Sequence, residues 1–83
     1  MRAEPVTLTE ENVRTLKPTV PGRETFHWDQ VAPGFGLRIR ETGSRSLVAQ
    51  YKLGTKHRRI TLGAVGKVRV SAARKIAMGY FEQ

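Results

Sequence analysis

The sequence predicts an α+β fold: a three-stranded antiparallel β-sheet packed against a C-terminal α-helix, with a short N-terminal helix. Three observations predict it. Apolar and polar residues alternate with period two from Gly36 to Leu62, interrupted by glycine-marked turns. A helical period returns after Ser71, and residues 8–18 carry helix start and stop signals.

The opening segment begins with Leu8-Thr9-Glu10-Glu11 and ends at Lys17-Pro18. Thr9 suits an N-cap, and the two glutamates favour the positive end of a helix dipole. Leu8 and Val13 have the spacing of a hydrophobic staple, Leu16 shares a face with Val13, and Pro18 stops the helix. So short a helix is marginal alone and must dock on something. Residues 18–33 read as irregular, with one short extended piece at 25–29. There Trp28 is expected to pack as a lid over the core, and His27 to be a solvated surface histidine.

In the meander, Leu37 and Ile39 alternate with Arg38 and Arg40, and Gly43-Ser44 marks a turn. Leu47, Ala49, Tyr51 and Leu53 alternate with Ser46, Val48, Gln50 and Lys52, followed by a second turn at Gly54-Thr55-Lys56. Arg58, Ile60 and Leu62 alternate with His57, Arg59 and Thr61. One face is therefore apolar and one solvated, and only Val48 breaks the polarity of the second. Ser71 is then expected to cap a helix whose stripe of Ala73, Ile76, Ala77 and Tyr80 covers the apolar face. The helical pattern meets no stop signal before Gln83, so residues 1–83 are expected to be a single domain cut from a longer protein.

Composition narrows the function. With no cysteine, disulfides, thiolate metal sites and thiol catalysis are excluded, and His27 and His57 lack the paired spacing of a zinc site. No apolar run approaches the roughly 18–20 residues that span a bilayer, and the first residues do not resemble a secretory signal; a cytoplasmic protein without membrane contact is expected. Enzyme templates fail: there is no Gly-x-Ser-x-Gly elbow, and Gly34-Phe35-Gly36 opens like a dinucleotide fingerprint but is followed by a strand. No catalytic residue, cofactor or small-molecule substrate is expected. The formal net charge is +8, and it is segregated. Residues 1–37 carry four bases and five acids, net −1, whereas residues 38–83 carry eleven bases and two acids, net +9. Such a surface suits a polyanion.

The sheet face supplies the geometry. Same-face residues on a strand lie about 6.6–7 Å apart and neighbouring strands just under about 5 Å apart. Arg38, Arg40, Gln50, Lys52, His57 and Arg59 thus form a compact plate of donors without a carboxylate. The DNA major groove, roughly 12 Å wide, admits such a face; arginine there takes guanine O6 and N7, and glutamine takes adenine N6 and N7. Arg38, Arg40, Gln50, Lys52 and Arg59 are the candidates for base edges, and Arg45, Lys56, Arg58 and Lys67 for phosphates. Cross-strand like charges repel, so a face this one-sided implies a partner that relieves them. The open face, read this way, carries no aromatic, the usual mark of single-strand RNA recognition.

Taken in order, several motifs resemble a known family: Asp29 with Pro33-Gly34-Phe35-Gly36-Leu37-Arg38-Ile39, the run from Gly43 to Tyr51, Arg58-Arg59-Ile60-Thr61-Leu62-Gly63, and Ser71-Ala72-Ala73-Arg74-Lys75-Ile76-Ala77. The chain resembles the N-terminal arm-type DNA-binding domain of tyrosine recombinases, in particular the integrases of prophages and genomic islands, although the loop 64–70 lacks the Tyr-Pro of many relatives. The resemblance implies a three-stranded sheet backed by a helix and inserted in the major groove at arm sites beside the recombination core. It implies a separate catalytic domain bearing a nucleophilic tyrosine, and DNA integration and excision by the whole protein. Double-stranded DNA is the expected partner, with other integrase subunits beside it on DNA. The alternatives are a duplex RNA-binding module and a protein-interaction module of a larger assembly.

Overall fold

The computed structural model describes residues 6–20 and 22–81. Expectations that fall on residues 1–5, on Pro21 and on positions 82–83 lie outside them. The elements follow in chain order: α1 (Asn12–Thr15), β1 (Thr25–Trp28), β2 (Phe35–Ile39), β3 (Arg45–Leu53), β4 (Lys56–Ala64) and α2 (Val70–Phe81). The strands form one antiparallel sheet in the order β1-β2-β3-β4.

The sheet therefore has four strands rather than three. The extra one is Thr-Phe-His-Trp, which pairs along β2 with Thr25 opposite Ile39 and Trp28 opposite Gly36. Four residues are too short to announce a strand by alternation; their extended state comes from pairing with the longer neighbour. Downstream, Leu37 pairs with Leu47, and Ala49 with Ile60, so the inner face is apolar as expected. A bulge between Leu47 and Val48 sets Thr61 and Gly63 against them and leaves Leu62 unpaired in the register.

The core lies between this inner face and α2. Phe35, Leu37, Ile39, Leu47 and Ala49 meet Val70, Ala73 and Ala77, and Leu8 and Val13 close the same cluster. The covering stripe of α2 thus starts at Val70, while Ile76, expected on it, is 49% exposed. Tyr80 stacks on Tyr51 with centroids 5.2 Å apart. Helix α2 begins one residue before the expected cap, and Ser71 lies inside its first turn. The N–H of Val70 is instead satisfied by the Glu10 carboxylate, 60 positions away in sequence. Ahead of the other helix, Thr9 and Asn12 bond reciprocally: the Thr9 hydroxyl accepts the Asn12 N–H at 3.1 Å, and the Asn12 side chain accepts the Thr9 N–H at 2.8 Å. The residue that precedes α1 is nevertheless Glu11, two positions past the expected cap and without a side-chain capping bond. Leu8 and Val13 are both buried, as the staple requires.

Asp29 joins these parts. It is buried, and its Oδ1 accepts the Leu8 N–H at 2.8 Å and Arg74 at 3.0 Å. Oδ2 accepts the Ala32 N–H at 2.8 Å and the Arg74 Nε at 3.1 Å. Arg74 also donates to the Leu8 carbonyl at 2.7 Å and lies against the Phe35 ring. One carboxylate thereby ties the N-terminal segment, the β1–β2 turn and α2. Burial alone would raise the Asp29 pKa; the Arg74 hydrogen bonds, the two backbone N–H groups and the guanidinium charge outweigh it and hold the carboxyl below its ordinary value.

Candidate nucleic-acid interface

The outer face of the sheet is the candidate surface. Cross-strand register defines its rows: Phe26, Arg38 and Ser46 in one, Trp28, Gly36, Val48 and Thr61 in the next, then Gln50 with Arg59, and Lys52 with His57 at the hairpin end. Gln50 and Arg59 are joined, the guanidinium donating to Gln50 Oε1 at 3.0 and 3.3 Å. Arg59 also lies 4.5 Å from the centroid of the Phe26 ring, and Arg38 lies 5.9 Å from it. The face therefore brings together Arg38, Gln50, Lys52, His57 and Arg59, with Arg40 exposed just past the end of β2.

This plate is not free of carboxylates. Arg38 donates through Nε and Nη2 to Glu24 Oε2, at 2.6 and 2.5 Å. Among the described residues, Arg38 is the one member of the nine candidates in an ion pair. Glu24 precedes β1, and it comes beside Arg38 because β1 is a strand. With residues 25–29 expected only as an isolated extended piece and not as a strand of the sheet, nothing in the sequence places that carboxylate here.

The fourth strand also changes the chemistry of the face. Phe26 and Trp28 stand on it, stacked with centroids 5.4 Å apart and planes 5° from parallel. Trp28 is thus not a lid over the inner core, and the open face does carry aromatics. The indole fills the space above Gly36: a Cβ built on Gly36 would fall 2.6 Å from Trp28 Cε3. Val48, next in the same row, is fully buried. The residue that looked out of pattern in sequence is therefore the floor under this aromatic cover. His27 points the other way from its neighbours and is buried, its Nε2 2.8 Å from the Lys17 carbonyl, rather than solvated. The alternation Thr25, His27 against Phe26, Trp28 was a two-period signal, but too brief to stand out.

The four phosphate candidates are dispersed. Lys56 and Arg58 are exposed at the β3–β4 hairpin tip, and Arg58 pairs in register with Tyr51, on the α2 side. Arg45 is opposite Ile39, so it belongs to the inner face; it reaches past the core edge to the Val13 carbonyl at 3.2 Å. Lys67 is off the sheet, lining with Arg14, Arg69 and Glu10 an open cleft of about 380 Å³ beside the start of α2. Gly34, at φ +98°, allows the Gln50 N–H to reach the Gly34 carbonyl, and its added Cβ would lie 2.6 Å from the Gln50 carbonyl oxygen. The two glycines flanking Phe35 thus serve close backbone and ring approach, not a dinucleotide.

Among the described residues no helix is long and apolar enough to cross a membrane, and no group of three His, Cys, Asp or Glu side chains is placed to hold a metal ion. No curated protein matches the chain. Residues 8–83 match the family described as the arm DNA-binding domain.

Proposed function

Because the chain belongs to the arm DNA-binding domain family, it is a non-catalytic DNA-binding module, and we propose that it reads double-stranded DNA by laying the outer face of β2–β4 in the major groove. The observation that carries this reading is the juxtaposition of Arg38, Gln50, Lys52, His57 and Arg59 on one side of the sheet, the side that α2 leaves uncovered. Arg38, Arg40, Gln50, Lys52 and Arg59 address base edges. Lys56 and Arg58 at the hairpin tip meet the phosphate backbone, and Lys67 meets it from the loop before α2. Arg45 contributes to phosphate binding by leaving the Val13 carbonyl, which it holds in the free protein.

The site read would be an arm site of a tyrosine recombinase, and the domain would hold that enzyme on its DNA during integration and excision, next to other subunits. Glu11, exposed on the acidic α1 segment, suits contact with a basic neighbour, whereas Glu10 is held by the Val70 N–H. Selecting binding sequences from a random duplex pool tests the reading: a recurring motif is expected, with matched RNA duplex bound far more weakly. Equal binding to every duplex, or preference for RNA, defeats it. Trp28 is the one tryptophan of the chain, so its emission reports directly whether DNA reaches this face.

A further inference from the structure

Guanidinium, ammonium and amide groups do not account for the whole outer face. An apolar strip lies among them: Phe26 and Trp28, half-buried and stacked at 5.4 Å, above the buried Val48. Such rings in a nucleic-acid surface have two uses. They serve as stacking platforms for unpaired bases, or as apolar contacts to the thymine C5-methyl in the major groove. The arrangement here favours the second. The π surface of Phe26 is already engaged by the indole and by the Arg59 guanidinium 4.5 Å from its centroid. The Trp28 ring is held down over Gly36 by the absence of a side chain there. What the pair offers outward is ring rim, which a methyl group fits and a stacked base does not.

Spacing and neighbours sharpen the choice. Base pairs in a duplex rise about 3.4 Å, so ring centroids 5.4 Å apart reach methyl groups on adjacent base pairs. Arg38 and Arg59 both lie against Phe26, and a guanidinium held beside an apolar contact is positioned for the guanine next to it.

We propose that Phe26 and Trp28 read the 5-methyl group of a pyrimidine adjacent to guanine in the bound duplex. This rests on the duplex reading above. The ligand chemistry is the C5-methyl, supplied by thymine or by 5-methylcytosine, and the two sources are separable by experiment.

The test uses the whole domain and a duplex recovered by selection. Each thymine is replaced singly by deoxyuridine, which removes only the methyl group, and each cytosine by 5-methylcytosine. At one or two positions deoxyuridine is expected to weaken binding about fourfold, the worth of one buried methyl-sized group. If cytosine occupies the position in some selected sites, its methylation strengthens binding by a similar factor there. In Trp28→Leu and Phe26→Leu the sensitivity at that position is expected to vanish, with affinity for the deoxyuridine duplex changed much less. Since Trp28 covers Val48, Trp28→Phe, which keeps an apolar ring, is the second variant and retains part of the sensitivity. Wild-type binding that ignores every deoxyuridine replacement overturns the proposal while leaving the duplex reading intact. So does a methyl effect of equal size in wild type and variants, or tighter binding to single strands than to duplex. Absence of any duplex binding is a different failure, that of the reading beneath it.

Discussion

Glu24 is the carboxylate that the binding face would have to give up. Its ion pair with Arg38 is bifurcated and partly exposed, with side chains 32% and 25% accessible. A pair of that exposure contributes at most about 1 kcal/mol, so releasing Arg38 to a guanine or a phosphate costs at most roughly fivefold in affinity. Glu24→Gln removes that cost and one negative charge near the phosphates. If one more cation then engages DNA, the salt slope steepens by about 0.9. Over a fourfold rise in salt, about 50 to 200 mM, that slope erodes the gain by roughly 3.5-fold. The expected outcome is a variant that binds random duplex about three- to tenfold tighter at the lower salt and loses most of that advantage at the higher one. Its preference for a selected sequence over random duplex should fall, because Arg38 no longer needs a good partner to be released. The assay is fluorescence titration across a salt series, with Glu41→Gln as the charge control. Glu41 is exposed in the turn after Arg40, and none of the described ion pairs includes it. Equal effects from the two variants would show that bulk charge, not the release of Arg38, is responsible. An unchanged slope in Glu24→Gln would refute the reasoning outright.

Three further predictions concern the frame and the division of labour. Asp29→Asn leaves Arg74 without its counter-ion in a largely buried site and should lower stability by about 3 kcal/mol, read from the urea midpoint; Arg74→Met, with a matched apolar stem, tests the same pair from the other side. The Asp29 carboxyl sits below its ordinary value of 3.8, so its contribution is complete above about pH 4 and is lost as pH falls through the lower folded value. The acid-labile component of unfolding below that pH should therefore be smaller in Asp29→Asn, and an identical acid profile would contradict the assignment. Gly36→Ala places a methyl 2.6 Å from Trp28 Cε3; the indole must move, with an expected loss of about 1–3 kcal/mol and a shifted tryptophan emission, and unchanged emission would count against the packing described. Arg40→Ala should cost about 1–3 kcal/mol on the selected sequence and relax one base position, whereas Lys56→Ala should weaken all sequences alike and lower the salt slope by about one. Indistinguishable behaviour of the two would remove the distinction between base and phosphate contacts.

The meander was legible because nine-residue strands give alternation room to repeat, and because glycine marks both turns. The inner set of Leu37, Ile39, Leu47 and Ala49 follows from that period alone, as does the cluster of Gln50, Lys52, His57 and Arg59 on the other side. What was not legible depends on contacts distant in sequence. The strand Thr25–Trp28 joins the sheet because β2 offers it hydrogen-bonding partners, and the alternation of a four-residue run is too brief to announce that pairing. The extended piece at 25–29 was legible, but missing its place beside β2 hid Glu24, Phe26 and Trp28 together. The start of α2 was misplaced by the same cause: Glu10 satisfies its first N–H from the opposite end of the chain, so the local cap signal at Ser71 was irrelevant. Arg45 looked like a turn base, yet its register with Ile39 directs it to the inner side, where a helix carbonyl is in reach. Val48 was the anomaly in the pattern: an apolar residue on a polar face, it is buried in the row that also holds Trp28 and Gly36.

The fourth strand also alters the argument from repulsion. In sequence, the clustered guanidiniums demanded a polyanion to relieve them. In the structure much of that relief is internal: Glu24 neutralises Arg38, the Phe26 ring receives both Arg38 and Arg59, and Gln50 accepts two hydrogen bonds from Arg59. Binding DNA at these two arginines is therefore an exchange of partners, and its net gain depends on how well the incoming groups match the ones released. A mismatched base edge replaces a bifurcated carboxylate poorly; a guanine offering two aligned acceptors replaces it better. Lys56 and Arg58 at the hairpin tip, in no ion pair among the described residues, undergo no such exchange, and they attract any duplex. The sheet thus separates two tasks along its length, with sequence-blind attraction at Lys56 and Arg58 and conditional contacts where Glu24 and Phe26 hold the arginines in reserve. If this is correct, removing Glu24 and removing Lys56 must act differently on specificity: the first lowers the ratio of selected to random binding, and the second weakens both and leaves the ratio unchanged.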